Sequence, residues 1–120
     1  MIKKTVISIF FFLILISGFL NYKVLRSFID QSLLMYEFNA YQLNLSPDYA
    51  RSLNVDFPNI TVTTLPLKML KARYLMRDSA VAESLELFYQ SRKDNQFLGI
   101  SEFELSKYHF NTKNIDSALY

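Results

Sequence analysis

Along its first twenty residues the chain is almost without polarity. From Thr5 to Leu20 (TVISIFFFLILISGFL) no residue is charged, while Lys3 and Lys4 precede the run and Lys23 and Arg26 follow it. Sixteen helical residues rise about 24 Å, a little short of the ~30 Å hydrocarbon layer; Asn21, Tyr22 and the snorkelling stems of Lys4 and Lys23 make up the difference. Residues 1–23 are therefore predicted to form a single transmembrane helix that also serves as a signal anchor. A signal-peptidase site needs small residues one and three positions before the cut. Gly18 supplies one, Ile16 is a poor partner, and no Ala-x-Ala follows, which favours an uncleaved anchor. Cleavage would instead release a secreted binding module beginning after Gly18 or Leu20. A short basic N-terminal tail ordinarily stays in the cytoplasm, which places the body outside the inner membrane, periplasmic or otherwise extracytoplasmic.

The next stretch, residues 24–64, changes pattern twice. Val24, Leu25, Phe28, Ile29, Leu33, Leu34, Met35, Tyr36, Phe38 and Tyr41 alternate with Arg26, Asp30, Gln31 and Glu37, without Gly or Pro. Such a segment predicts that the membrane helix continues outward. Ser46 before Pro47 then fits an N-cap with proline in the first turn, so a short helix should run to about Leu53, with Asp48 near its positive end. From Asn54 to Pro66 the prolines Pro58 and Pro66 and the branched run Ile60-Thr61-Val62-Thr63-Thr64 disfavour helix, and the segment reads as a linker or cap. Asn44-Leu45-Ser46 and Asn59-Ile60-Thr61 match the glycosylation sequon, which has consequences only in a eukaryotic secretory setting.

Beyond residue 64 the polar and apolar positions recur. Met69 aligns with Phe103, Ala72 with Ser106, Tyr74 with Tyr108, Met76 with Phe110, Val81 with Ile115, Ser84 with Ala118 and Leu85 with Leu119, every pair 34 positions apart. Bulky residues meet bulky ones and small residues meet small ones. Small Ala72, Ser84, Ser91, Ser106 and Ala118 allow paired helices to approach, while Val81, Leu85 and Phe88 form an i, i+4, i+7 stripe that fills the gap. With Tyr74, Leu105, Tyr108 and Phe110 these make up the expected packing set. Asp78 or Ser79 is placed to cap the second helix of the first copy, and Asn114 that of the second.

A 34-residue period built on two helices resembles the tetratricopeptide repeat family, over roughly Leu67 to Tyr120. The second copy is the clearer one, with Leu105-Ser106-x-Tyr108-His109-Phe110 followed by Asn114-Ile115-Asp116-Ser117-Ala118. Two positions depart from the family pattern. Gln96 stands at a corner usually turned by proline, and Lys71 stands where its counterpart Leu105 is apolar, so the first helix is expected to be partly solvated and to lean on the connecting region. The resemblance implies antiparallel helix pairs in residues 65–120, about one and a half copies. Because such repeats bury their apolar sides against neighbours, it also implies that the chain belongs to a longer repeat protein.

Composition narrows the chemistry. Thirteen Lys+Arg face eleven Asp+Glu, and setting aside Lys3 and Lys4 leaves the two signs equal, which argues against a nucleic-acid surface. The absence of Cys excludes disulfides, thiolate metal sites and cysteine nucleophiles. His109, the single imidazole, reads as a packed residue on the inner side of a helix and not as a metal ligand. Glu102 and Glu104 sit two apart and do not share a helix face, and Glu83 with Glu86 reads as a solvated surface, so no acid/base pair is expected. Gly18 and Gly99, the two glycines, make no phosphate loop.

Lys68, Lys71, Arg73 and Arg77 give one helix a basic cast that solvation explains first. Their functional alternative is a groove for an acidic peptide or C-terminal carboxylate, as in some members of the family. The sequence thus predicts an all-α protein, a single transmembrane helix followed by antiparallel helix pairs, without catalysis, metal or cofactor. Its function would be that of an anchored scaffold or adaptor binding a protein or peptide in a bacterial envelope. The competing expectation is the front of an envelope glycan-processing or transfer enzyme that carries repeats as a recognition arm.

Overall fold

Among the residues described by the computed structural model, 2–114 and 117, the regular elements are all helices. They are α1 (Ile2–Asn39), α2 (Pro47–Ser52), α3 (Leu67–Arg77), α4 (Val81–Asp94) and α5 (Ile100–Asn111). The predicted helical class and the long apolar N-terminal helix are both present.

α1 runs unbroken for 38 residues, because nothing after its apolar run stops it until the polar turn near residue 41. It gives the molecule a long axis, 71 × 28 × 24 Å overall. From Lys4 to Arg26 every side chain is exposed. Further out, one face becomes buried at Ser27, Asp30, Gln31, Leu34 and Glu37, the three-to-four spacing of a helix stripe. α1 closes with Tyr41 in the left-handed region (φ 54°), where Tyr41 N donates to Phe38 O (3.2 Å) and Gln42 N to Glu37 O (2.9 Å). These two bonds satisfy carbonyls that the helix end would leave open. α2 begins as its sequence requires: Ser46 accepts a hydrogen bond from Tyr49 N (3.3 Å) and Pro47 opens the first turn.

α3 is the centre of the body. Leu67, Met69, Leu70, Ala72, Tyr74 and Leu75 are all buried on it, against Leu34 of α1, Ala50 of α2, Leu53, Val55 and Leu65 of the loops, Phe88 of α4 and Leu105 of α5. Residues 24–64 therefore do more than connect, since four of them lie in the same core as α3. The non-helical segment 54–66 is folded down on this core. Thr61 N donates to Leu65 O (2.8 Å) and Leu67 N to Asn59 O (2.8 Å), while Asn59 Nδ2 reaches Asp94 Oδ1 (3.0 Å) and Asn95 Nδ2 reaches Thr64 O (2.9 Å).

The α3–α4 seam is built on small residues. Ala72 and Ser84 are completely buried, and Ser84 Oγ donates to Ala72 O (2.7 Å). Where α4 meets α5, Ser91 and Ser101 are buried with their hydroxyl oxygens 2.7 Å apart, and Ser91 also donates to Phe88 O (2.7 Å). A larger side chain at any of these positions would hold the backbones apart.

One local expectation is corrected. Neither Asp78 nor Ser79 caps α4; its N-cap position is Ala80, which offers no side-chain bond. Both residues are occupied with ending α3: Asp78 is paired with the Arg77 guanidinium, and Ser79 takes the left-handed conformation (φ 63°). Ser79 N donates to Met76 O (3.2 Å) and Ala80 N to Leu75 O (2.9 Å). At the end of α5 the same closure recurs 34 residues later, with Lys113 (φ 61°) donating to Phe110 O (3.1 Å) and Asn114 N to His109 O (2.9 Å). Most of the helix that Asn114 was expected to cap, and Ala118 of the packing set, lie outside the described residues.

The rest of the packing set is covered unevenly. Tyr74, Phe88, Ser91 and Leu105 are buried, and Leu85 packs on the core at half burial. Ser106 and Tyr108 are half-buried. Phe110 stands 69% exposed and Phe103 64%, because the face of α5 that carries them points away from α4.

Candidate binding cleft

The four basic residues of α3 do not act as one group, and helical geometry explains why. Positions 68 and 71 lie on one side of α3 and positions 73 and 77 on another. Lys71 folds its ammonium onto the end of α2, donating to Arg51 O (2.8 Å) and Leu53 O (3.1 Å). Burial of that ammonium lowers its pKa. The departure noted at position 71 thus has a structural use: the lysine closes the carbonyl end of a helix too short to close itself. Lys68 stands between Asp56 (3.6 Å) and Asp94 (4.0 Å), tying the loop to the end of α4.

Arg73 and Arg77 converge on a cleft of about 300 Å³ walled by α3, α4 and α5 and by the segment after α1. Leu43, Met76, Phe88 and Tyr108 give it an apolar lining, and Glu104, Lys107 and Asn111 complete the rim with the two arginines. Arg73 lies over the Phe38 ring (4.9 Å to its centroid) and 3.8 Å from Glu104. Glu104 is shared with Lys107 (3.9 Å), so one carboxylate answers two cations. Arg77 forks onto Asp78 (2.6 and 2.9 Å), packs over the Tyr74 ring (5.6 Å) and donates to Leu43 O. The hydrogen bond from Arg77 holds the Asp78 carboxyl below its ordinary pKa, and Asp78 raises that of Arg77 in return. Arg77 is thereby fixed in place, and Lys107, exposed at the rim, is the cation with most freedom to meet a ligand.

Behind the cleft is a polar layer that residue spacing did not reveal. Buried Glu37 of α1 accepts hydrogen bonds at Oε2 from Tyr74 OH (2.7 Å) and from Asn44 N (2.8 Å). Burial first, and then this bond to Glu37, push the Tyr74 hydroxyl well above the ordinary tyrosine value. Asp30, about two turns earlier on α1, accepts from Tyr49 OH (2.6 Å) and lies 3.7 Å from Arg26. The bond to Asp30 is the main cause of the raised pKa of Tyr49. These pairs join α1 to α2 and α3, so the apolar helix is docked to the body by buried polar contacts as well as by Leu34.

The remaining candidates are separated from one another. Glu102 pairs with Arg92 (2.9 Å) and Glu104 with Arg73, so the two carboxylates face different helices as their spacing requires. Glu83 and Glu86 are exposed. His109 is half-buried, edge-on to Tyr108, with Nε2 3.4 Å from Tyr89 OH. Among the described residues no group of His, Asp and Glu is placed to hold a metal ion. Lys107, Asn111 and Leu43 were missed as cleft residues. An exposed lysine four positions before an asparagine on a helix carries no distinguishing signal, and Leu43 reaches the cleft only because α1 ends where it does. Comparison with known protein families, characterised proteins and solved structures gives no match.

Proposed function

We propose that this protein is a membrane-anchored helical binding module, a scaffold or adaptor without catalysis, whose cleft receives an acidic peptide segment carrying a bulky apolar side chain. The observation that carries this reading is the cleft itself. Its lining is apolar, its rim holds Arg73, Arg77 and Lys107 with the single carboxylate Glu104, and it belongs to a body joined to a helix long and apolar enough to cross a membrane. A small apolar floor beneath a cationic rim is suited to one anchoring side chain beside a carboxylate. The repeat reading is kept as part of the proposal. It is supported by helix closures 34 residues apart and by buried Ala72, Ser84 and Ser91 where helices meet. We place the body on the extracytoplasmic side because of the basic tail at Lys3 and Lys4.

The test is binding of fluorescent peptide pools, acidic-aromatic against basic-aromatic, to the detergent-solubilised full chain. Acidic pools should bind at low salt, and Lys107→Glu should weaken them about tenfold, as loss of one rim cation and gain of a repulsion would. Equal binding of both pools, or indifference to Lys107→Glu, would refute the cleft as the site. Protease added to spheroplasts should remove the body; its survival there would reverse the topology.

A further inference from the structure

The outer half of α1 is amphipathic in the reverse of the usual sense. In water a helix packs its apolar stripe on its own domain and turns its polar side outward. Here Ser27, Asp30 and Gln31 are the residues that the body covers, at 3–7% exposure, whereas Val24, Leu25, Phe28 and Ile29 are 49–60% exposed. At about 100° per residue the centres of the two faces lie roughly 135° apart, on opposite sides of the helix. Lys23 and Arg26 fall on the covered side or its edge, so the exposed stripe carries no charge. It is also continuous with the apolar segment that ends near Leu20, with Asn21, whose side chain is bonded back to Ser17 O, and Tyr22 at the junction.

We infer that the stripe Val24-Leu25-Phe28-Ile29 lies in the interfacial layer of the lipid bilayer, and that α1 leaves the membrane leaning on this face with the body above it. This rests on the reading of α1 as a membrane-crossing helix and extends it. On this side the apolar length runs from Thr5 to Ile29, roughly 36 Å against a ~30 Å hydrocarbon layer, an excess that tilt absorbs. The direction of tilt follows from the charges. Lys23 and Arg26 sit on the face turned toward water and the body, and the uncharged face turns toward lipid. The polar side chains along the way make few demands on water. Ser8 donates to Lys4 O (3.1 Å), Asn21 to Ser17 O (2.8 Å) and Ser32 to Phe28 O (2.9 Å), bonds that persist in an apolar surrounding. At Ser32 and exposed Tyr36 the stripe gives out, which marks where the helix clears the interface.

The chain has no cysteine, so single substitutions supply unique labelling sites without further change. Phe10→Cys, Val24→Cys, Phe28→Cys and Tyr41→Cys would each be labelled with an environment-sensitive fluorophore in the full chain and reconstituted in phosphatidylcholine vesicles. Quenching would be read with nitroxide-bearing lipids and with aqueous iodide. Lipid quenching at positions 24 and 28 about twofold or more above that at 41, with iodide reaching 41 preferentially, is the expected result for interfacial burial. If position 10 is lipid-quenched but 24 and 28 behave like 41, the anchor stands and the inference fails. If 28 is shielded from both quenchers, protein covers the stripe, as in a helix-to-helix dimer, and the inference also fails. If position 10 is itself iodide-accessible, α1 does not span the bilayer and both readings fall.

Discussion

α3 and α5 are built to one local plan and fare differently in the fold. Both end in the same pair of closing hydrogen bonds, 34 residues apart, about a residue in the left-handed region, Ser79 in one and Lys113 in the other. Yet α3 buries six side chains and α5 buries Ser101 and Leu105. α3 is packed on one side by α4 and on the others by α1, α2 and the 54–66 segment, whereas the outer face of α5 meets no partner among the described residues. The two helices thus close alike, and their neighbours decide how much of each is buried.

The comparison is most easily broken at Met69 and Phe103, which occupy the same register. Met69 is wholly buried and Phe103 is 64% exposed. Met69→Ala should cost about 2–5 kcal/mol, the range for a large buried side chain cut to alanine, and Phe103→Ala about 0.5 kcal/mol or less. Urea unfolding of the detergent-solubilised full chain, followed by tyrosine near-ultraviolet circular dichroism, measures both. Similar losses would mean that α5 is as deeply packed as α3. The next pair is Ala72 and Ser106. Ala72→Leu forces bulk into the α3–α4 seam at a completely buried position and should cost about 1–3 kcal/mol, while Ser106→Leu, at half burial, should cost less than about 1 kcal/mol.

Tyr74 and Tyr108 form the third pair. Tyr74→Phe removes one of the two donors to the buried Glu37 carboxylate and should cost about 1–2 kcal/mol; Tyr108→Phe should be nearly silent, since its hydroxyl makes no hydrogen bond among the described residues. The same contrast has a pH signature. The raised pKa of Tyr74 means that the folded chain keeps a proton that the unfolded chain releases above about pH 10. Its contribution is thus full below that pH and is lost as pH climbs toward the folded value. Tyr74→Phe should flatten that alkaline decline in urea midpoint, leaving the smaller part due to Tyr49. A decline unchanged by the substitution would show that Tyr74 does not titrate as placed.

What was legible in the chain was what depends on near neighbours. The apolar run and the Ser46-Pro47 helix start depend on near neighbours, and both have counterparts in the structure; of the 34-residue recurrence the structure shows a local echo, the matching helix closures at Ser79 and Lys113. Asp78 and Ser79 misled because capping residues look alike on either side of a short turn. Arg77, the residue just before Asp78, claimed its carboxylate, and the reversal of the chain needed Ser79 for its backbone conformation. The cleft was half legible. Arg73 and Arg77 were named, but grouping them with Lys68 and Lys71 ignored helix faces, and Glu37, Leu43 and Lys107 join through the docking of α1 on α3 and of α5 on α4, contacts that no local pattern encodes. The inverted outer half of α1 was legible as a helix but not as an inverted one, because which face the body would cover is a long-range fact.

Lys71 and Leu105 are the pair at which the two helices differ in kind, and the smallest effect is expected there. Lys71→Met keeps an unbranched stem against the same surroundings and removes the cost of holding an ammonium half-buried, while Arg51 O and Leu53 O lose a charged donor. Arg51 is exposed, so water can replace the bond at its carbonyl, and the net change should lie within about 1 kcal/mol near neutral pH. The sign of its pH dependence is opposite to that of Tyr74. With the Lys71 pKa lowered by folding, the folded chain gives up its proton before the unfolded chain does. This residue therefore makes stability rise as pH climbs from its folded pKa toward the ordinary lysine value. Lys71→Met should remove that rise and leave the Tyr74 decline steeper, whereas Leu105→Met should leave the alkaline profile as it was. A Lys71→Met chain with the parent's profile would mean that the lysine is solvated and that α2 ends without it.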